Sequence, residues 1–426
     1  MSDLLISFYG DDFTGSTDAM ESLARCGIRT VLFTDPPTPG QLKRYPGIRA
    51  FGVAGMTRSM APDEMEKVLR PALRSLHESG APIVHYKVCS TFDSSPTVGS
   101  IGRVIDVGMD IFGAKFVPVL VAAPSLGRYC VFGNLFARSG TESEPYRLDR
   151  HPSMRQHPIT PMDESDLRVH LAKQTQKRIG LLDIVQMEGD PDDAAEQLDA
   201  LVRCGGNEVM LIDLLYNHQL DTAGWLLARH GSRDNPLFVV GSSGVEAALT
   251  AYWQLTPAGF PSPGDAGPII ALCGSCSPVT AGQIKWAASN GFDQFALNVA
   301  QLDNDNAVER SARSIKAGRS VVIHTSGAGA TRSVGADALG PKLGAILRDI
   351  LKETKVRRVA VAGGDTSGHV ARALGIESME MIAELTRGSP LCLVAAPGSP
   401  ADGIEMTFKG GQIGKQDFFG LVEKGA

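Results

Sequence analysis

The residues best suited to chemistry lie near the start of the chain, in Gly-Asp-Asp-Phe-Thr-Gly-Ser-Thr-Asp at positions 10–18. Asp11 and Asp12 are adjacent carboxylates that follow an apolar run and precede small hydroxyl residues. A turn that only satisfies backbone amides needs one acceptor, whereas two carboxylates can also order substrate hydroxyls or accept a proton. We therefore predict a site here, with a purely structural turn as the alternative.

Basic residues stand at the ends of three other apolar runs. Arg58, Lys87 and Arg128 each occur at or just after such a run. One arginine in this position is more commonly a surface residue, but three cations at three strand ends favour a pocket for an anion.

A loop dense in hydroxyl groups follows Lys87. It begins Cys89-Ser90-Thr91 and continues Phe-Asp-Ser-Ser-Pro. These groups can bind the hydroxyls of a sugar acid while the lysine pairs with its negatively charged carboxylate. The alternative is a capping loop for the helix predicted near residues 101–107.

Glycine-rich turns dominate the last third of the chain. The segment 359–370 has the order strand, glycine turn, helix, which presents backbone N–H groups and a helix dipole to phosphate oxygens. Two more glycine loops surround Gly398 and Gly411. No Walker A or Gly-x-Gly-x-x-Gly pattern is present. Three such loops together predict nucleotide binding, although tight strand-to-helix turns often need glycine for their own geometry.

The elements that must position these residues predict an α/β protein. Short apolar runs alternate with helical spacing throughout, and 426 residues exceed the size at which a single core stops growing. We predict two doubly wound α/β domains, residues 1–255 and 268–426, joined by a Pro/Gly-rich linker at 256–267. Open α/β sheets bind ligands at the carboxyl ends of their strands, so we expect the active site in the cleft between the domains.

Three local predictions concern the first domain. Asp163 to Gln176 is expected to form a helix, and Ile184-Val185 a short strand. Residues 133–160 are polar and lack periodicity, which predicts an irregular lid loop. His151 and His157 lie within it, but no acidic or cysteine partner stands at a recognised spacing, so no metal site is predicted.

Composition excludes several classes of function. A net charge of -6, without a long basic cluster, argues against nucleic-acid binding, and no apolar run reaches membrane-spanning length. The seven cysteines are scattered and odd in number, and the N-terminus has no basic region of a signal peptide, so a cytoplasmic location is expected. The predicted partner is a small molecule. The oligomeric state stays open, with a homodimer as one alternative.

Together these motifs resemble those of the four-carbon acid sugar kinases over essentially the whole chain. Residues 11–18 resemble the substrate loop Asp-Asp-x-Thr-Gly-x-x-Asp of that family, and 57–59 its Thr-Arg-Ser. Residues 274–280, 363–366 and 409–414 are similar to its ATP loops. The resemblance implies a first domain that binds the sugar acid and a second that binds ATP with Mg²⁺.

The resemblance also implies roles for individual residues. It assigns Asp12, Arg58 and the segment Lys87 to Thr91, which includes Cys89 and Ser90, to the substrate. It assigns Ser275 or Ser277, Gly363, Gly364, Asp365, Thr366 and Gly411 to the nucleotide. Their positions after strands and in a glycine loop add Asp11 and Arg128 to the predicted substrate site and Gly398 to the predicted nucleotide site. Asp12 or Asp365 is expected to accept the hydroxyl proton. Mg²⁺ is expected to bridge the phosphates. Its other ligands are expected to be mostly water, together with a carboxylate.

One departure from the family pattern concerns the substrate. Common members read Lys-x-Asp-Ser-Thr-x-Arg, whereas this chain has Cys89 in place of the aspartate and Asp93 in place of the arginine. This version is similar to the branch of 3-oxo-isoapionate kinases, which favours that substrate over a plain tetronate. The alternatives are an NAD(P)-dependent oxidoreductase acting on sugar acids and a non-catalytic sensor of ATP and a sugar acid.

Overall fold

The chain divides into two compact units. The computed structural model describes residues 4–139, 143–157, 159–298, 306–325 and 336–425, with the side chains of 336–338 left aside. The first unit comprises the chain up to Asp11, Ser22–Arg29 and Pro36–Pro257, and the second comprises Asp12–Glu21, Thr30–Asp35 and the chain from Ala258 on. The second unit therefore includes two short segments from the beginning of the sequence.

The first part of the chain alternates strands and helices, as the sequence pattern predicts. In order, these elements are β1 (Ile6–Gly10), α1 (Phe13–Arg25), β2 (Thr30–Phe33), α2 (Pro39–Lys43), β3 (Ala50–Ala54), α3 (Pro62–Glu78), β4 (Ile83–Lys87), α4 (Ile101–Phe112), β5 (Val117–Leu120), β6 (Arg128–Val131), β7 (Asn134–Arg138), β8 (Pro145–Arg147), α5 (Leu167–Ala172), β9 (Ile179–Leu182), α6 (Pro191–Arg203), β10 (Val209–Ile212), α7 (Gln219–Ala228), β11 (Leu237–Gly241) and α8 (Gly244–Trp253).

A parallel sheet forms the centre of the first unit. Its strand order is β3-β1-β4-β11-β5-β10-β9, and every pairing within it is parallel. Helices α3 to α5 pack together as one group and α6 to α8 as another. The chain continues from β1 to β3 on one side and places β4 on the other, so the strand order reverses at β1. In open α/β sheets such a reversal opens a crevice at the carboxyl ends of the strands.

A small antiparallel sheet occupies much of the segment predicted to be an irregular lid. Strands β6, β7 and β8 pair in that order, with Arg128 opposite Ala137 and Phe136 opposite Arg147. The prediction of an irregular segment was wrong for residues 134–138 and 145–147. It failed because their period-2 alternation is short and is interrupted by polar turns.

Two further local predictions need correction. Ile184-Val185 is not a strand: the strand ends at Leu182, and 184–187 form a turn closed by Asp183, whose Oδ1 accepts from the backbone N–H of Val185 at 2.9 Å. The helix predicted over 163–176 spans only Leu167–Ala172. It begins at Leu167 because the side chain of Asp166 caps its first turn.

The second unit resumes the alternation after the Pro/Gly-rich segment. Its elements are β12 (Ile270–Cys273), α9 (Pro278–Ser289), β13 (Asp293–Ala296), α10 (Ala307–Lys316), β14 (Val321–His324), α11 (Ala336–Glu353), β15 (Arg358–Ala362), α12 (Gly364–Ala373), β16 (Ser378–Thr386), β17 (Ser389–Ala395), β18 (Glu405–Lys409) and α13 (Phe418–Lys424).

The sheet of the second unit is parallel at one side and antiparallel at the other. Its order is β13-β14-β12-β15-β18-β17-β16-β2, with parallel pairing from β13 to β18. Strands β17, β16 and β2 are added by antiparallel pairing. The strand order reverses between β12 and β15, so a second crevice is expected where those two strands end. The predicted α/β class with two doubly wound units is confirmed, and the antiparallel extension is an addition to it.

The Pro/Gly-rich segment is partly fixed to the second unit. The fully buried side chain of Arg358 donates hydrogen bonds to the carbonyls of Pro263 at 3.0 Å, Gly264 at 3.0 Å and Val422 at 2.7 Å. Its Nε donates to Glu405 at 2.7 Å. The last residues of this segment are therefore part of a packed structure. Among the helices that the structure describes, none is both long and apolar enough to cross a bilayer.

Candidate active site

Asp11 and Arg58 form a rigid ion pair where β1 and β3 end. Asp11 is buried, and its two carboxylate oxygens accept from Nε and Nη2 of Arg58 at 3.0 and 2.7 Å. The backbones of the two residues are also joined, because the N–H of Arg58 donates to the carbonyl of Asp11 at 3.0 Å. A bidentate pair of this kind fixes the guanidinium plane. Asp11 therefore positions Arg58, which is still partly exposed and able to meet an anion.

Lys87 ends β4 beside this pair. Its backbone carbonyl accepts from the N–H of Asp11 at 2.9 Å, so the ends of β1 and β4 are in register. Its side chain is buried, and Nζ donates to the carbonyl of Val88 at 3.2 Å. The ammonium thus lies at the base of the loop that starts with Cys89.

The loop after β4 carries a chain of polar contacts. Sγ of Cys89 lies 2.9 Å from Oγ1 of Thr91, which donates to Oδ1 of Asp93 at 2.6 Å. Burial raises the pKa of the Cys89 thiol, and the Asp93 carboxylate raises it further, so the thiol is protonated at neutral pH. Ser90 is half-buried beside them. This arrangement offers a thiol, a hydroxyl and a carboxylate to a polyhydroxylated ligand.

Arg128, at the start of β6, is the second cation near this loop. Burial lowers the pKa of its guanidinium, while Cys89 and Asp93 act in the opposite direction, which places these groups within electrostatic reach of one another. Nη1 donates to the carbonyls of Leu126 at 2.9 Å and Arg138 at 3.1 Å. The positive charge of Arg58 also acts on the Cys89 thiol, whose pKa it lowers. The first unit therefore has two guanidinium groups around one hydroxyl-rich loop.

A buried polar network behind the loop was missed by sequence reasoning. Oγ of Ser94 lies 2.8 Å from Nε2 of His170, and Nε2 of Gln174 lies 3.0 Å from Ser94 and 2.9 Å from His170. Burial lowers the pKa of His170 to about 4, so the ring is neutral at physiological pH. Its i,i+4 spacing with Gln174 is the one signal in the sequence, and it does not reveal Ser94 as the partner. The network fixes the loop against α5.

Asp12 has a different environment from Asp11, because it begins the segment assigned to the second unit. Its Oδ1 accepts from the N–H of Gly15 at 2.7 Å, as in a helix N-cap. Thr14 lies next to two glycine loops: a Cβ placed on Gly364 would be 3.2 Å from its Oγ1, and one on Gly410 would be 3.8 Å from its Cγ2. The start of α1 is therefore beside the turns predicted to bind phosphates.

The turn at Gly363 and Gly364 has the geometry of a phosphate-binding turn. Gly363 has φ +129°, which side-chain-bearing residues rarely adopt, and it precedes α12 without any side-chain cap. The first N–H groups of α12 are thus available to an anion. Asp365 is exposed in this first turn, and a Cβ on Gly274 would lie 2.2 Å from Oγ1 of Thr366. The loops after β12 and β15 therefore touch.

Ser275 and Ser277 continue the same surface. Ser275 Oγ accepts from the N–H of Ser277 at 3.1 Å, and Ser277 caps α9 by accepting from Val279 at 3.2 Å. A Cβ on Gly411 would lie 2.5 Å from Ser275 Oγ, so only glycine allows the loop after β18 to approach this closely. The predicted residues 275, 277, 363–366 and 411 are brought together.

Gly398 is not part of this group. It follows β17, which runs antiparallel to β18 with Leu391 opposite Thr407 and Leu393 opposite Glu405. The residues after β17 therefore lie where β18 begins, at the opposite edge of the sheet from Gly363 and Gly411. The structure therefore does not bring Gly398 together with the other residues predicted to bind the nucleotide, because β17 runs antiparallel and no local pattern in the sequence indicates that direction.

Comparisons with known proteins agree with this division of roles. A family model described as a sugar-binding N-terminal domain matches residues 6–249, and one described as a nucleotide-binding C-terminal domain matches 270–419. A 3-oxo-isoapionate kinase from Paraburkholderia graminis is 42% identical, and the alignment covers 99% of this chain and 94% of that protein.

More distant relatives have a related activity. A 3-oxo-tetronate kinase from Methylobacterium radiotolerans is 31% identical over 98% of both chains. A solved structure from Salmonella typhimurium LT2 is 27% identical with a TM-score of 0.80, covering 98% of each chain. One from Haemophilus influenzae is 24% identical with a TM-score of 0.76, covering 98% of each chain, and shows the shared fold.

Proposed function

We propose a specific reaction on the premise that this chain belongs to the four-carbon acid sugar kinase family, with its sugar-binding N-terminal and nucleotide-binding C-terminal domains. The protein is an ATP-dependent kinase of a small sugar acid, and its substrate is 3-oxo-isoapionate. The observation that carries the assignment to a kinase is the uncapped N-terminus of α12 behind Gly363, which suits a phosphate group. The choice of substrate depends on the 42% identical relative from Paraburkholderia graminis.

In this proposal, residues 1–255 bind the sugar acid, 256–267 link the domains, and 268–426 carry most of the nucleotide site. Arg58 and Arg128 bind the substrate carboxylate, and Lys87 adds positive charge. The oxygen-bearing groups of the substrate contact the side chains of Cys89, Ser90, Thr91 and Asp93. The carboxylate of Asp93 accepts a hydrogen bond from a substrate hydroxyl, which fits a hydroxyl-rich branched acid.

Phosphoryl transfer depends mainly on alignment and charge neutralisation. ATP supplies the transferred phosphoryl group, and Mg²⁺ neutralises the charge on the phosphates. Ser275, Ser277, Gly363, Gly364, Thr366 and Gly411 bind the phosphates. Asp12, held rigidly by the N–H of Gly15, accepts the proton of the attacking hydroxyl.

The donor set fits a magnesium ion held largely by the nucleotide. Among the described residues, no group of three His, Cys, Asp or Glu side chains could hold a metal ion alone. Mg²⁺ commonly binds through phosphate oxygens, water and one or two carboxylates. Asp365 lies in the first turn of α12, where a carboxylate would repel phosphate unless a cation joined them. We therefore assign Asp365 to Mg²⁺.

An ADP-release assay tests the function. The purified protein is supplied with ATP and Mg²⁺ and then with 3-oxo-isoapionate, 3-oxo-tetronates, D-threonate, D-erythronate or no acid. ADP release that depends on 3-oxo-isoapionate, at the highest kcat/KM, is expected. Nucleotide and acid binding without ADP release would support a sensor. A change in NAD(P)H absorbance with the same acids would support an oxidoreductase.

Two further parts of the proposal concern the cellular setting. The protein acts in the cytoplasm, where ATP is available, and it acts as a homodimer. Light scattering of the purified protein tests the second statement, and a mass of one chain would contradict it.

A further inference from the structure

Lys409 is a buried cation directly below the glycine loops of the second unit. It ends β18, where it lies opposite Ala362 of β15, and its carbonyl accepts from the N–H of Gly363 at 2.9 Å. The side chain has no exposure to solvent. An ammonium group taken out of water at such a place is costly unless another charge compensates it.

The contacts of this ammonium are polar but neutral. Nζ donates to Oγ1 of Thr280 at 3.0 Å, and that hydroxyl donates to the carbonyl of Gly411 at 2.9 Å. The ring of Phe418 lies 5.7 Å from Nζ. Among the residues that the structure describes, no carboxylate pairs with it. Lys409 is thus linked through Thr280 to the Gly411 loop, and no carboxylate in the described part of the chain supplies its counter-charge.

We propose that Lys409 is a positioning residue of the nucleotide site: its ammonium is the buried counter-charge for the phosphates of a nucleoside triphosphate, and through Thr280 it fixes the Gly411 loop. This inference rests on the proposed function, because it requires that an anionic phosphate binds over these loops. The hydrogen bonds through Thr280 support the role in fixing the Gly411 loop. The buried ammonium, for which the described residues supply no carboxylate, supports the role as a counter-charge for the phosphates.

The surroundings define how the charge responds to pH. Burial lowers the pKa of Lys409 to about 8, whereas burial raises the pKa of the neighbouring Cys273 thiol to about 12. Helices α9 and α13 present Thr280 and Phe418, which carry no charge in this range. Lys409 therefore titrates between pH 7 and 9.5 at this site. A bound phosphate favours the charged form, so binding takes up a proton in that range, and affinity falls as the pH rises.

Calorimetry of ADP binding in the presence of Mg²⁺ tests the inference on the wild-type protein. At pH 8.5, titrations in two buffers of different ionisation enthalpy measure the number of protons taken up. A net uptake is expected, together with a roughly tenfold loss of affinity between pH 7 and 9.5. ADP binding without proton uptake would overturn the role of Lys409 and leave the kinase assignment standing. Absence of ADP binding at any pH would overturn both.

Variants separate charge from position. Lys409→Met keeps the length of the side chain without its charge, so we expect about tenfold weaker ADP binding at pH 7 and no pH dependence. Thr280→Val breaks the link to Gly411 but keeps the charge, so binding weakens while its pH dependence remains. Lys415→Met, at an exposed lysine in the following loop, is the matched control and should behave as wild type. Unchanged affinity in Lys409→Met would contradict the inference.

Discussion

Two adjacent carboxylates near the start of the chain have different partners and therefore different roles. Asp11 pairs with Arg58, whereas Asp12 accepts a hydrogen bond from the N–H of Gly15 and begins the turn into α1, which lies beside the glycine loops. The sequence predicts both as site residues because they follow a strand. It does not reveal their separate roles, because these depend on Arg58, which lies 47 positions from Asp11.

We predict that Asp12→Asn reduces kcat by at least about 100-fold while ADP binding stays nearly unchanged. The amide oxygen of asparagine still accepts the hydrogen bond from Gly15, so the helix start is kept, but the side chain no longer accepts a proton. Steady-state ADP release measures kcat, and calorimetry measures binding. Asp35→Asn, at an exposed acid, is the control. An active Asp12→Asn enzyme would refute the assignment of Asp12 as the proton acceptor.

Asp11→Asn tests the positioning of Arg58. The amide cannot form the charged bidentate pair, so Arg58 loses its fixed orientation. We expect KM for the sugar acid to rise roughly tenfold, with a smaller change in kcat. A double-mutant cycle with Arg58→Gln measures the coupling. Strict additivity of the two effects on kcat/KM would show that Asp11 acts independently of Arg58.

At the level of elements, the loop after β4 depends on α5 for its conformation. Ser94, His170 and Gln174 form the buried network that joins them, and Gln174 also accepts from the N–H of Gly102 at 3.2 Å, at the start of α4. Three elements therefore meet at one neutral imidazole. Charging that ring would disturb all three.

This network predicts loss of stability in acid. Because the pKa of His170 is lowered to about 4 in the folded protein, the unfolded chain binds more protons between the ordinary histidine pKa and that value. The contribution is fully present above the unfolded pKa and is lost as the pH falls. We expect His170 to account for roughly 2 kcal/mol of the free energy of unfolding lost between pH 7.5 and 5.

Urea unfolding of wild type and His170→Gln at the two pH values measures this term. The variant should be less stable at pH 7.5 but should lose less stability on acidification. His218→Gln, at an exposed histidine, should retain the full acid sensitivity of the wild type. Equal pH dependence in wild type and His170→Gln would contradict the prediction.

Much of the fold was predictable from the sequence because buried parallel strands are short apolar runs between turns. The segment 359–370, predicted as strand, glycine turn and helix, contains the end of β15 (Arg358–Ala362) and the start of α12 (Gly364–Ala373). Strand β16 was missed because its residues Met379–Leu385 are mostly strong helix formers. Its strand state depends on antiparallel neighbours on both sides, β17 and β2, and distant pairing of this kind leaves no local signal.

The site was predictable to a similar extent. The predicted residues that directly follow parallel strands lie at one edge within each sheet, since the sheet itself brings those ends together. The sequence did not separate Gly398 from the other glycine loops, and it did not reveal the contacts of Asp93, Ser94 and His170, because these places depend on strand direction and on contacts up to 80 positions apart. Local patterns contain neither kind of information.

At the scale of the whole molecule, Arg358 holds the end of the interdomain segment and the last helix together. We predict that Arg358→Leu lowers the free energy of unfolding by about 3–5 kcal/mol, because Glu405 and three backbone carbonyls lose a buried partner. Denaturant unfolding measures the change.

Arg357 provides the matched control. It donates to the same carboxylate, with Nη2 2.7 Å from Glu405 Oε1, but its side chain is 57% exposed. We expect Arg357→Leu to cost less than about 1 kcal/mol. Similar losses in both variants would mean that the shared carboxylate, rather than the buried carbonyl contacts of Arg358, determines the stability.

The second unit takes β2 from the beginning of the sequence, and this limits how the gene can be divided. Residues 31–33 pair with 378–380, Thr34 Oγ1 donates to the carbonyl of Ile376 at 2.7 Å, and Glu21 accepts from the N–H of Gly388 at 2.8 Å. A fragment expressed from Ala258 onward would present β16 as an uncovered edge, which invites aggregation. Fragment complementation with a peptide of residues 1–35 should restore the solubility of this fragment. For the same reason, exchange of the C-terminal half between homologous genes is unfavourable unless the first 35 codons are exchanged with it.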